Sequence, residues 1–280
     1  MVKLLLNSIL SERIIMISKS SEIKISIITA SYNYARYISE TIESVIKQSY
    51  QNWEMIIVDD GSKDNSIEII KSYCQKDSRI KLYTHKNNKN KGLSKTLQLG
   101  IKHASNEWIA FLESDDVFTP QYLEEKVKII RETPDAEFIF NDYKAIGDES
   151  FGEESHHKIF QKNMKSRIGL SDYKKDFCPQ NPVPTFSVVM LKKELLKGLN
   201  YNTPIMPYLD WFLWGQIASK KEFYYTDKPL TCWRKHPQSF INKNRKFLTF
   251  YFFFKLGMYL PDIYKRKLRR LKLIPVILNI

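Results

Sequence analysis

The sequence predicts an α/β fold, a mostly parallel, doubly wound sheet flanked by helices. Over residues 23–140, short β-branched and aromatic runs alternate with segments of helical periodicity, and this alternation is typical of parallel strands joined by helices. The segment 108–112 is a continuous apolar run, as strands are when helices cover both faces of the sheet. A chain of 280 residues, 43% of them hydrophobic, can bury a core of that size.

The first two strand–helix units follow one pattern. The segment 23–33, IKISIITASYN, is a β-branched strand, and the segment 53–66, WEMIIVDDGSKDNS, begins with a second strand that ends at Asp59-Asp60 before Gly61 turns the chain. Apolar residues at helical spacing then mark the helix after each strand: Ile38, Ile42, Val45 and Ile46 after the first, and Ile67, Ile70, Tyr73 and Cys74 after the second.

The third and fourth units complete the parallel part of the sheet. Residues 79–85, RIKLYTH, form a strand, and after a loop of Asn and Lys residues one helical face carries four apolar residues: Leu93, Leu97, Ile101 and Ala104. The fourth strand, WIAFL at 108–112, runs directly into the acidic segment ESDD at 113–116. A Thr-Pro pair at 119–120 predicts the N-cap and the first turn of a helix over 121–131.

The second half of the chain is less regular. The polar region 141–184 predicts a mobile loop or a partly ordered lid. After it, TFSVVM at 185–190 predicts a strand, LDWFLWGQIAS at 209–219 an amphipathic helix, and FYYT at 223–226 another strand.

The N-terminal segment and the cysteines indicate the compartment. Residues 1–22 begin like a signal peptide, but Glu12 and Arg13 interrupt the apolar run and no small-residue cleavage site follows, so we expect neither a signal peptide nor a bilayer span. Because Met16 stands just before the first strand, we expect residues 1–15 to be an upstream translated extension. Three widely spaced cysteines without metal-type spacing indicate reduced thiols. These features predict a cytoplasmic protein.

The chain is strongly basic. Its 44 Lys and Arg residues against 31 Asp and Glu residues give a formal net charge of +13. Such a charge suits nucleic acid, an anionic membrane face or a phosphorylated substrate, and it does not choose among them.

Two acidic clusters follow predicted strands, at 59–60 and at 113–116. Ligands of doubly wound sheets bind outside the carboxyl ends of the strands, so we expect the two clusters to converge on one ligand. Carboxylates packed this closely repel one another unless a cation lies between them. The sequence therefore predicts a cation at this edge of the sheet.

Four segments, in this order, resemble the family 2 glycosyltransferases, which are inverting enzymes with the nucleotide-sugar-binding GT-A fold. They are SIITASYNYARYISETIESVIKQSYQNWEMIIVDDGSKDNS, NKGLSKTLQLGIKHASNEWIAFLESDDVFTPQYLE, LDWFLW and WRKHPQSF, and the resemblance covers residues 24–240. It implies a metal-dependent hexosyltransferase-like enzyme that moves a sugar from a nucleotide donor, expected to be a UDP-sugar, to a hydroxyl of a glycan or lipid-linked acceptor. The expected setting is surface polysaccharide synthesis, with an α-linked donor giving a β-linked product.

The resemblance also implies which residues bind the donor. Asp60 is expected to accept the uracil imide N–H, and Gly92, Ser114, Asp115 and Arg234 are expected to contact the nucleotide sugar. The loop after the first strand is expected to pack against the base and the ribose: Ala30, Ser31, Tyr32 and Asn33.

The same resemblance implies a metal site and a catalytic base. Asp115, Asp116 and His236 are expected to hold Mg²⁺ or Mn²⁺, which would neutralise the leaving diphosphate. Asp210 stands where the family carries the second acid of a Glu-Asp pair, the catalytic base, and Leu209 stands at the first position. A base placed opposite the leaving group would take the proton of the acceptor hydroxyl.

Simpler explanations remain open for these acids. Asp59 and Asp60 form a common strand-to-turn signal whose side chains can bond nearby amides, and both the 113–116 segment and Asp210 can serve the N-terminus of a helix. Three histidines without such neighbours are expected to be solvated loop residues: His85, His156 and His157.

Two other functions also remain open. One is a nucleic-acid-binding basic protein, although the basic residues concentrate near the C-terminus, the sheet edge is acidic and no nucleic-acid module is recognisable, so no nucleic acid is expected as a partner. The other is a relative that keeps the fold without the activity. Glu113, where the family usually has Asp, and Leu209 keep that possibility open.

We divide the chain accordingly. Residues 1–22 form an N-terminal extension with no assigned role, and residues 23–242 form the GT-A domain. Within that domain, 23–140 is expected to bind the nucleotide sugar, and 141–242 to carry the acceptor site and the catalytic base.

The remaining residues, 243–280, have a different composition. The aromatic stretch FLTFYFFFKLGMYL is followed by KRKLRRLK at 265–272, which predicts a helical basic and aromatic extension. Such a segment favours peripheral attachment of 246–280 to the anionic cytoplasmic membrane face, where lipid-linked acceptors occur. A helix that packs its aromatic side on the catalytic domain remains an alternative.

Overall fold

A computed structural model gives the fold. It describes residues 22–147, 161–162, 164–174, 176–177, 181–202 and 208–237. The predictions for the N-terminal extension, for His156 and His157, and for the C-terminal extension at 243–280 therefore lie outside the described residues, as does part of the expected lid.

Residues 25–111 form the four predicted parallel strands and the first three predicted helices. Their elements are β1 (Ile25–Ser31), α1 (Ile38–Ile46), β2 (Trp53–Asp59), α2 (Ser66–Lys76), β3 (Ile80–Thr84), α3 (Leu93–His103) and β4 (Trp108–Phe111). A short 3₁₀ turn, Lys86–Asn88, lies between β3 and α3. The strands β1 to β4 are all parallel, as predicted.

The rest of the described chain adds five strands, of 2 to 13 residues, and two helices. Its elements are β5 (Val117–Phe118), α4 (Tyr122–Glu132), β6 (Phe138–Gly147), β7 (Gly169–Ser171), β8 (Val189–Lys192), α5 (Leu209–Ala218) and β9 (Phe223–Lys235). Three further 3₁₀ turns occur at Lys165–Arg167, Phe186–Val188 and Lys193–Leu196.

All described strands form one sheet in the order β3–β2–β1–β4–β8–β6–β9–β5, with β7 paired to β9. Strand β8 is antiparallel to both β4 and β6, and β9 is parallel to β6. Strands β6 and β9 therefore run in the same direction as β1, β2 and β4. Their carboxyl ends consequently meet at one edge of the sheet, which is where the acidic clusters lie.

Helices cover both faces of this sheet. Successive residues of a strand point to opposite faces, so Ile27 and Met55 lie in the core beneath α1, α2 and α4, while Ile28 and Ile56 lie in the core beneath α3 and α5. This double burial explains why β4 is apolar at every position.

Four local predictions need correction. Helix α4 begins at Tyr122, whose N–H bonds to the backbone oxygen of Thr119, so the Thr119 side chain is not the N-cap. The segment 185–190 is a 3₁₀ turn followed by β8. Nine of the ten residues of α5 are buried, so this helix lies inside the core and is not amphipathic. The region expected to be irregular from residue 141 begins within β6. Strand β6 pairs with β9, which is much longer than the predicted 223–226, because each strand supplies hydrogen-bond partners for the backbone of the other.

The described residues contain no helix that is long and apolar enough to cross a membrane.

Candidate active site

A cavity of about 570 Å³ opens at the carboxyl edge of the sheet. It brings together the two acidic clusters, as the strand directions predict. Polar residues from both halves of the chain line it: Ser31, Tyr34, Asp60, Asn90, Thr96, Glu113, Ser114, Asp115, Thr185, Asp210 and Arg234. Ala30, Tyr32, Gly92 and Trp233 also lie on its wall.

Asp59 and Asp60 have separate structural positions. Asp59 is fully buried and accepts hydrogen bonds from the backbone N–H of Gly61 and from both the N–H and the hydroxyl of Ser62. Asp59 therefore builds the turn after β2, as the simpler explanation holds. Asp60 lines the cavity, and its two carboxylate oxygens accept the N–H groups of Lys91 at 2.6 Å and Gly92 at 2.9 Å.

The turn after β2 also requires a glycine. Gly61 has φ +82°, and a Cβ at this position would lie 2.6 Å from the backbone oxygen of Asn88. The loop 88–92 can therefore pack directly on the turn, which lets its N–H groups reach Asp60.

Three of the four residues predicted at 30–33 line the cavity, two from the end of β1 and one from the loop after it. Ala30, Ser31 and Tyr32 lie on the wall, and the buried Ser31 hydroxyl has no hydrogen-bond partner among the described residues. Asn33 does not line the cavity. Its φ is +60°, and its side-chain oxygen accepts the N–H of Lys63 at 2.7 Å. Asn33 therefore connects the loop after β1 to the loop after β2.

His85 is not the solvated residue that the sequence suggests. Its side chain is only 11% exposed, and Nε2 lies 3.0 Å from Oγ1 of Thr96 and 3.5 Å from Oδ1 of Asp60. No local pattern marks this residue, because its partners come from β2 and α3. A histidine at the carboxyl end of a parallel strand was the available signal.

The acidic segment after β4 divides into buried and cavity-facing groups. Glu113 accepts a hydrogen bond from the Thr185 hydroxyl, and its burial raises the pKa of this carboxyl above its ordinary value, with nearby Asp115 acting in the same direction. Asp116 is fully buried, and its oxygens accept the Ser187 hydroxyl at 2.5 Å and the backbone N–H of Arg234 at 2.8 Å. Asp116 is thus engaged by the protein itself and does not line the cavity.

Asp115 lines the cavity and contacts His236, which is buried behind it and does not itself line the cavity. His236 Nε2 lies 2.9 Å from Oδ2 of Asp115, and the imidazole packs against the rings of Tyr37 and Tyr34 at 4.9 Å and 6.0 Å between centroids. Tyr34 hydrogen-bonds Asp115, and its burial near the acids raises the pKa of its phenol. Tyr34 is a cavity residue that the sequence analysis did not single out.

This pair fits a divalent cation that is only partly ligated by protein. A carboxylate oxygen and an imidazole nitrogen are both ligands that Mn²⁺ takes, so the chemistry of the pair suits such a cation. Among the residues that the structure describes, no group of three or more His, Cys, Asp or Glu side chains could hold a metal ion.

Arg234 joins the end of β9 to the acidic segment. Its Nε donates to the backbone oxygen of Asp115 at 2.7 Å, its terminal nitrogen contacts Glu40, and its guanidinium lies 5.1 Å from the centroid of the Tyr37 ring. The side chain therefore holds the acidic segment in place while also lining the cavity.

Asp210 lies across the cavity in the first turn of α5. Its Oδ2 accepts a hydrogen bond from the amide of Asn181 at 3.2 Å. Burial raises the pKa of Asp210 to about 7, because desolvation disfavours the charged form, although the N–H of Trp211 and the Asn181 amide act in the opposite direction. A carboxyl with such a pKa can take up and release a proton near neutral pH.

The sequence profile of glycosyl transferase family 2 matches residues 26–199. The chain belongs to glycosyl transferase family 2. An uncharacterized glycosyltransferase of Rickettsia felis is 36% identical over 211 residues, which are 74% of this chain and 32% of that protein. The chain thus spans about a third of the length of this relative.

Another family 2 relative has a named activity. The UDP-Glc:alpha-D-GlcNAc-diphosphoundecaprenol beta-1,3-glucosyltransferase WfgD of Escherichia coli is 29% identical over 224 residues, which are 79% of this chain and 80% of that protein.

Solved structures of glycosyltransferases share the fold. TarS of S. aureus in complex with UDP-GlcNAc is 19% identical and superposes with a TM-score of 0.63, covering 80% of this chain and 62% of that one. The mannosyltransferase PcManGT of Pyrobaculum calidifontis, in complex with GDP-Man and Mn²⁺, is 17% identical with a TM-score of 0.55, covering 74% of this chain and 55% of that one. The predicted family and its GT-A fold are confirmed.

Proposed function

We propose that this family 2 glycosyltransferase moves a sugar from a UDP-sugar to a hydroxyl of a glycan or lipid-linked acceptor, with inversion and with a divalent cation. One observation carries the proposal. A single cavity has Asp60 and Asp115 on the wall built by residues 23–140 and Asp210 on the wall built by residues 141–242.

The wall around Asp60 supports a uridine nucleotide. Asp60 is a hydrogen-bond acceptor at the cavity, which suits the imide N–H of uracil. Ser31 adds a buried hydroxyl without a partner among the described residues, and Tyr32 adds a ring that is 43% exposed. These groups can bond the ribose and pack on the base.

Asp115 and His236 are the proposed protein ligands of Mn²⁺ or Mg²⁺. The bound cation supplies neutralisation of the negative charge that develops on the leaving diphosphate. The proposal leaves out Asp116, because Ser187 and the Arg234 backbone already engage both of its carboxylate oxygens. Asp116 instead orients the segment that carries Asp115.

Asp210 is the proposed general base. In an inverting displacement the acceptor hydroxyl attacks the anomeric carbon from the face opposite the diphosphate, and a carboxylate there takes the hydroxyl proton. Asn181 holds the Asp210 carboxylate from the side. Leu209 stands where the family has the first acid of its Glu-Asp pair; it is 1% exposed and belongs to the core. Helix α5 therefore supplies a single acid, Asp210, at these two positions.

The acceptor is the least constrained part of the proposal. The named activity of the E. coli relative is on a diphosphoundecaprenol-linked sugar, and a lipid-linked acceptor of this kind is compatible with an enzyme whose expected location is the cytoplasmic membrane face.

The experiment is a donor screen with the full-length chain. UDP-Glc, UDP-GlcNAc and GDP-Man are each incubated with Mn²⁺, and nucleoside diphosphate release is measured with and without a pyrophosphate-linked GlcNAc acceptor. We expect acceptor-dependent release of UDP, which Asp210→Asn should slow by roughly 10²–10⁴ and which Asp135→Asn, a surface-acid control, should retain. Thermal stabilisation by a UDP-sugar without turnover of the acceptor would favour an inactive relative. Neither stabilisation nor nucleoside diphosphate release with any of the three donors would refute the proposal.

A further inference from the structure

Trp233 and Lys235 share one face of β9, at its carboxyl end. Residues two positions apart on a strand point to the same face. The Lys235 ammonium lies over the Trp233 ring, 2.7 Å from its centroid, so the two side chains form a cation–π pair. Trp233 lines the cavity, and both residues are partly exposed. The indole therefore holds a cation beside the cavity.

The neighbouring strand fixes the Trp233 ring. Trp233 pairs with Ala145 of β6, and its ring meets that of the buried Tyr143 at 76° with centroids 5.2 Å apart. A lysine side chain has several rotatable bonds, and holding it in one place costs conformational entropy. Contact with a fixed ring restricts the Lys235 ammonium before any ligand arrives, so less entropy is lost when it binds an anion.

Lys235 acts on the same part of the cavity as the proposed base. Glu113 lines this part of the wall. Burial raises the pKa of the Glu113 carboxyl, and the charges of Asp115 and Asp210 act in the same direction. The Lys235 charge acts in the opposite direction, so Lys235 and Asp210 are both close enough to influence one carboxyl. Because Asp210 is proposed to take the acceptor proton, the acceptor must lie in this part of the cavity.

The adjacent cation, Arg234, is directed to the acidic segment after β4. Its Nε donates to the backbone oxygen of Asp115 at 2.7 Å. Arg234 therefore serves the segment that carries a proposed metal ligand. Lys235 is the cation that β9 directs to the face of Trp233, where the nearby carboxylates would otherwise repel an anionic acceptor.

We propose that Lys235, positioned by Trp233, binds a phosphate linked to the accepting sugar, so that the acceptor is an anionic glycosyl diphosphate and not a neutral glycan. The inference rests on the proposed function and narrows its acceptor class. An ammonium donates charge-assisted hydrogen bonds to phosphate oxygens. A neutral sugar offers only hydroxyl oxygens, which bind an ammonium less strongly.

The test measures acceptor binding with the donor site filled. Titration calorimetry is carried out on the full-length chain saturated with UDP and Mg²⁺, without lipid, so that neither the donor diphosphate site nor a membrane headgroup accounts for the signal. The probes are a short-chain alkyl diphosphate ester of GlcNAc and the matching neutral alkyl glycoside. The variants are Lys235→Gln, Lys235→Arg and Trp233→Leu. Lys228→Gln is the matched control, because Lys228 lies on the same strand, pairs with Glu125 and does not line the cavity.

We expect the parent to bind the diphosphate about tenfold more tightly than the neutral glycoside. Lys235→Gln and Trp233→Leu should bring this ratio close to one. Lys235→Arg should keep it, since a guanidinium also stacks on an indole and binds phosphate, and Lys228→Gln should keep it as well. If Trp233→Leu does not fold, as thermal unfolding would show, Lys235→Gln decides.

Two results overturn the inference alone: a ratio near one in a parent chain that binds UDP, and a parental ratio in Lys235→Gln. Weaker UDP binding in Lys235→Gln, measured before the acceptor is added, would place Lys235 at the donor and also overturn it. A parent chain that binds no UDP overturns the proposed function, and the inference with it.

Discussion

The side-chain amide of Asn181 lies 3.2 Å from the carboxylate of Asp210. Asn181 precedes the 3₁₀ turn Phe186–Val188, and Asp210 lies in the first turn of α5. The proposed general base is thus held by a residue that lies 29 positions earlier in the chain. The same segment contributes Thr185 to Glu113 and Ser187 to Asp116, so it connects the proposed base to the acidic segment across the cavity.

Replacing Asp210 tests its role as the base. Asp210→Asn should lower kcat by roughly 10²–10⁴ while leaving the donor Kd nearly unchanged, because the group removed acts on the acceptor proton and not on the nucleotide. Steady-state kinetics together with donor calorimetry measure the two effects separately. Parental turnover in Asp210→Asn would place the base elsewhere.

The pH dependence of the reaction should report the same carboxyl. The pKa of Asp210 is raised to about 7 by burial, and only its deprotonated form can accept a proton. The rate of the parent should therefore rise between about pH 6 and pH 8 and then level off. A kcat profile that is flat across this range would contradict Asp210 as the base.

Removing Asn181 should move that profile. The Asn181 amide bonds the Asp210 carboxylate and lowers its pKa, so Asn181→Ala should raise the pKa further and shift the rising limb to higher pH. At pH 7 the rate should fall several-fold and recover toward the parental value at pH 9. Asn202→Ala, an exposed asparagine near α5, is the control. Loss of rate that is the same at every pH would indicate a purely structural role for Asn181.

Metal dependence can be assigned to specific ligands. Excess chelator should abolish donor turnover, and Mn²⁺ or Mg²⁺ should restore it. His236→Ala should require a higher Mn²⁺ concentration for half-maximal rate, because one of two proposed protein ligands is lost. A metal titration monitored by turnover measures this shift, and full activity in excess chelator would exclude a required cation.

Asp115 and Asp116 should respond differently to substitution. Asp116→Ala leaves the Ser187 hydroxyl and the Arg234 N–H without their buried acceptor, which should cost about 2 kcal/mol and lower the Tm by roughly 5 °C. It should also weaken nucleotide-sugar binding by loosening the acidic segment. Asp115→Ala should weaken Mn²⁺ binding with a smaller change in Tm. Differential scanning calorimetry compares the two, and equal Tm losses would contradict the division of roles.

The C-terminal extension at 243–280 lies outside the described residues, so the prediction for it rests on the sequence alone. The basic run at 265–272 should bind vesicles containing anionic lipid, with each Lys or Arg near the surface contributing about 1 kcal/mol before screening. High salt should weaken this binding. Removal of residues 246–280 should abolish it and leave a folded chain that still binds donor. Vesicle sedimentation at two salt concentrations is the measurement, and an intact chain that ignores anionic vesicles at low salt would refute membrane attachment.

The local sequence pattern was sufficient to predict most strands and helices of the first half of the chain. The positions of β1 to β4 and their helices follow from apolar runs and helical spacing, because both are properties of neighbouring residues. That the two acidic clusters meet at one cavity also follows, since parallel strands end at one edge of a sheet. The family motifs at 24–240 carried the GT-A fold, which no single periodicity could specify.

Only the tertiary structure decided how the acids divide their tasks. Asp59 and Asp60 are adjacent in sequence, yet their roles differ: Asp59 bonds Gly61 and Ser62 and builds the turn, whereas Asp60 bonds the 91–92 backbone and lines the cavity. His85 contacts Asp60 only because β2, β3 and α3 pack in that register. Hydrogen bonds between such distant residues depend on the relative positions and register of whole strands and helices. The local sequence around each residue does not specify those positions.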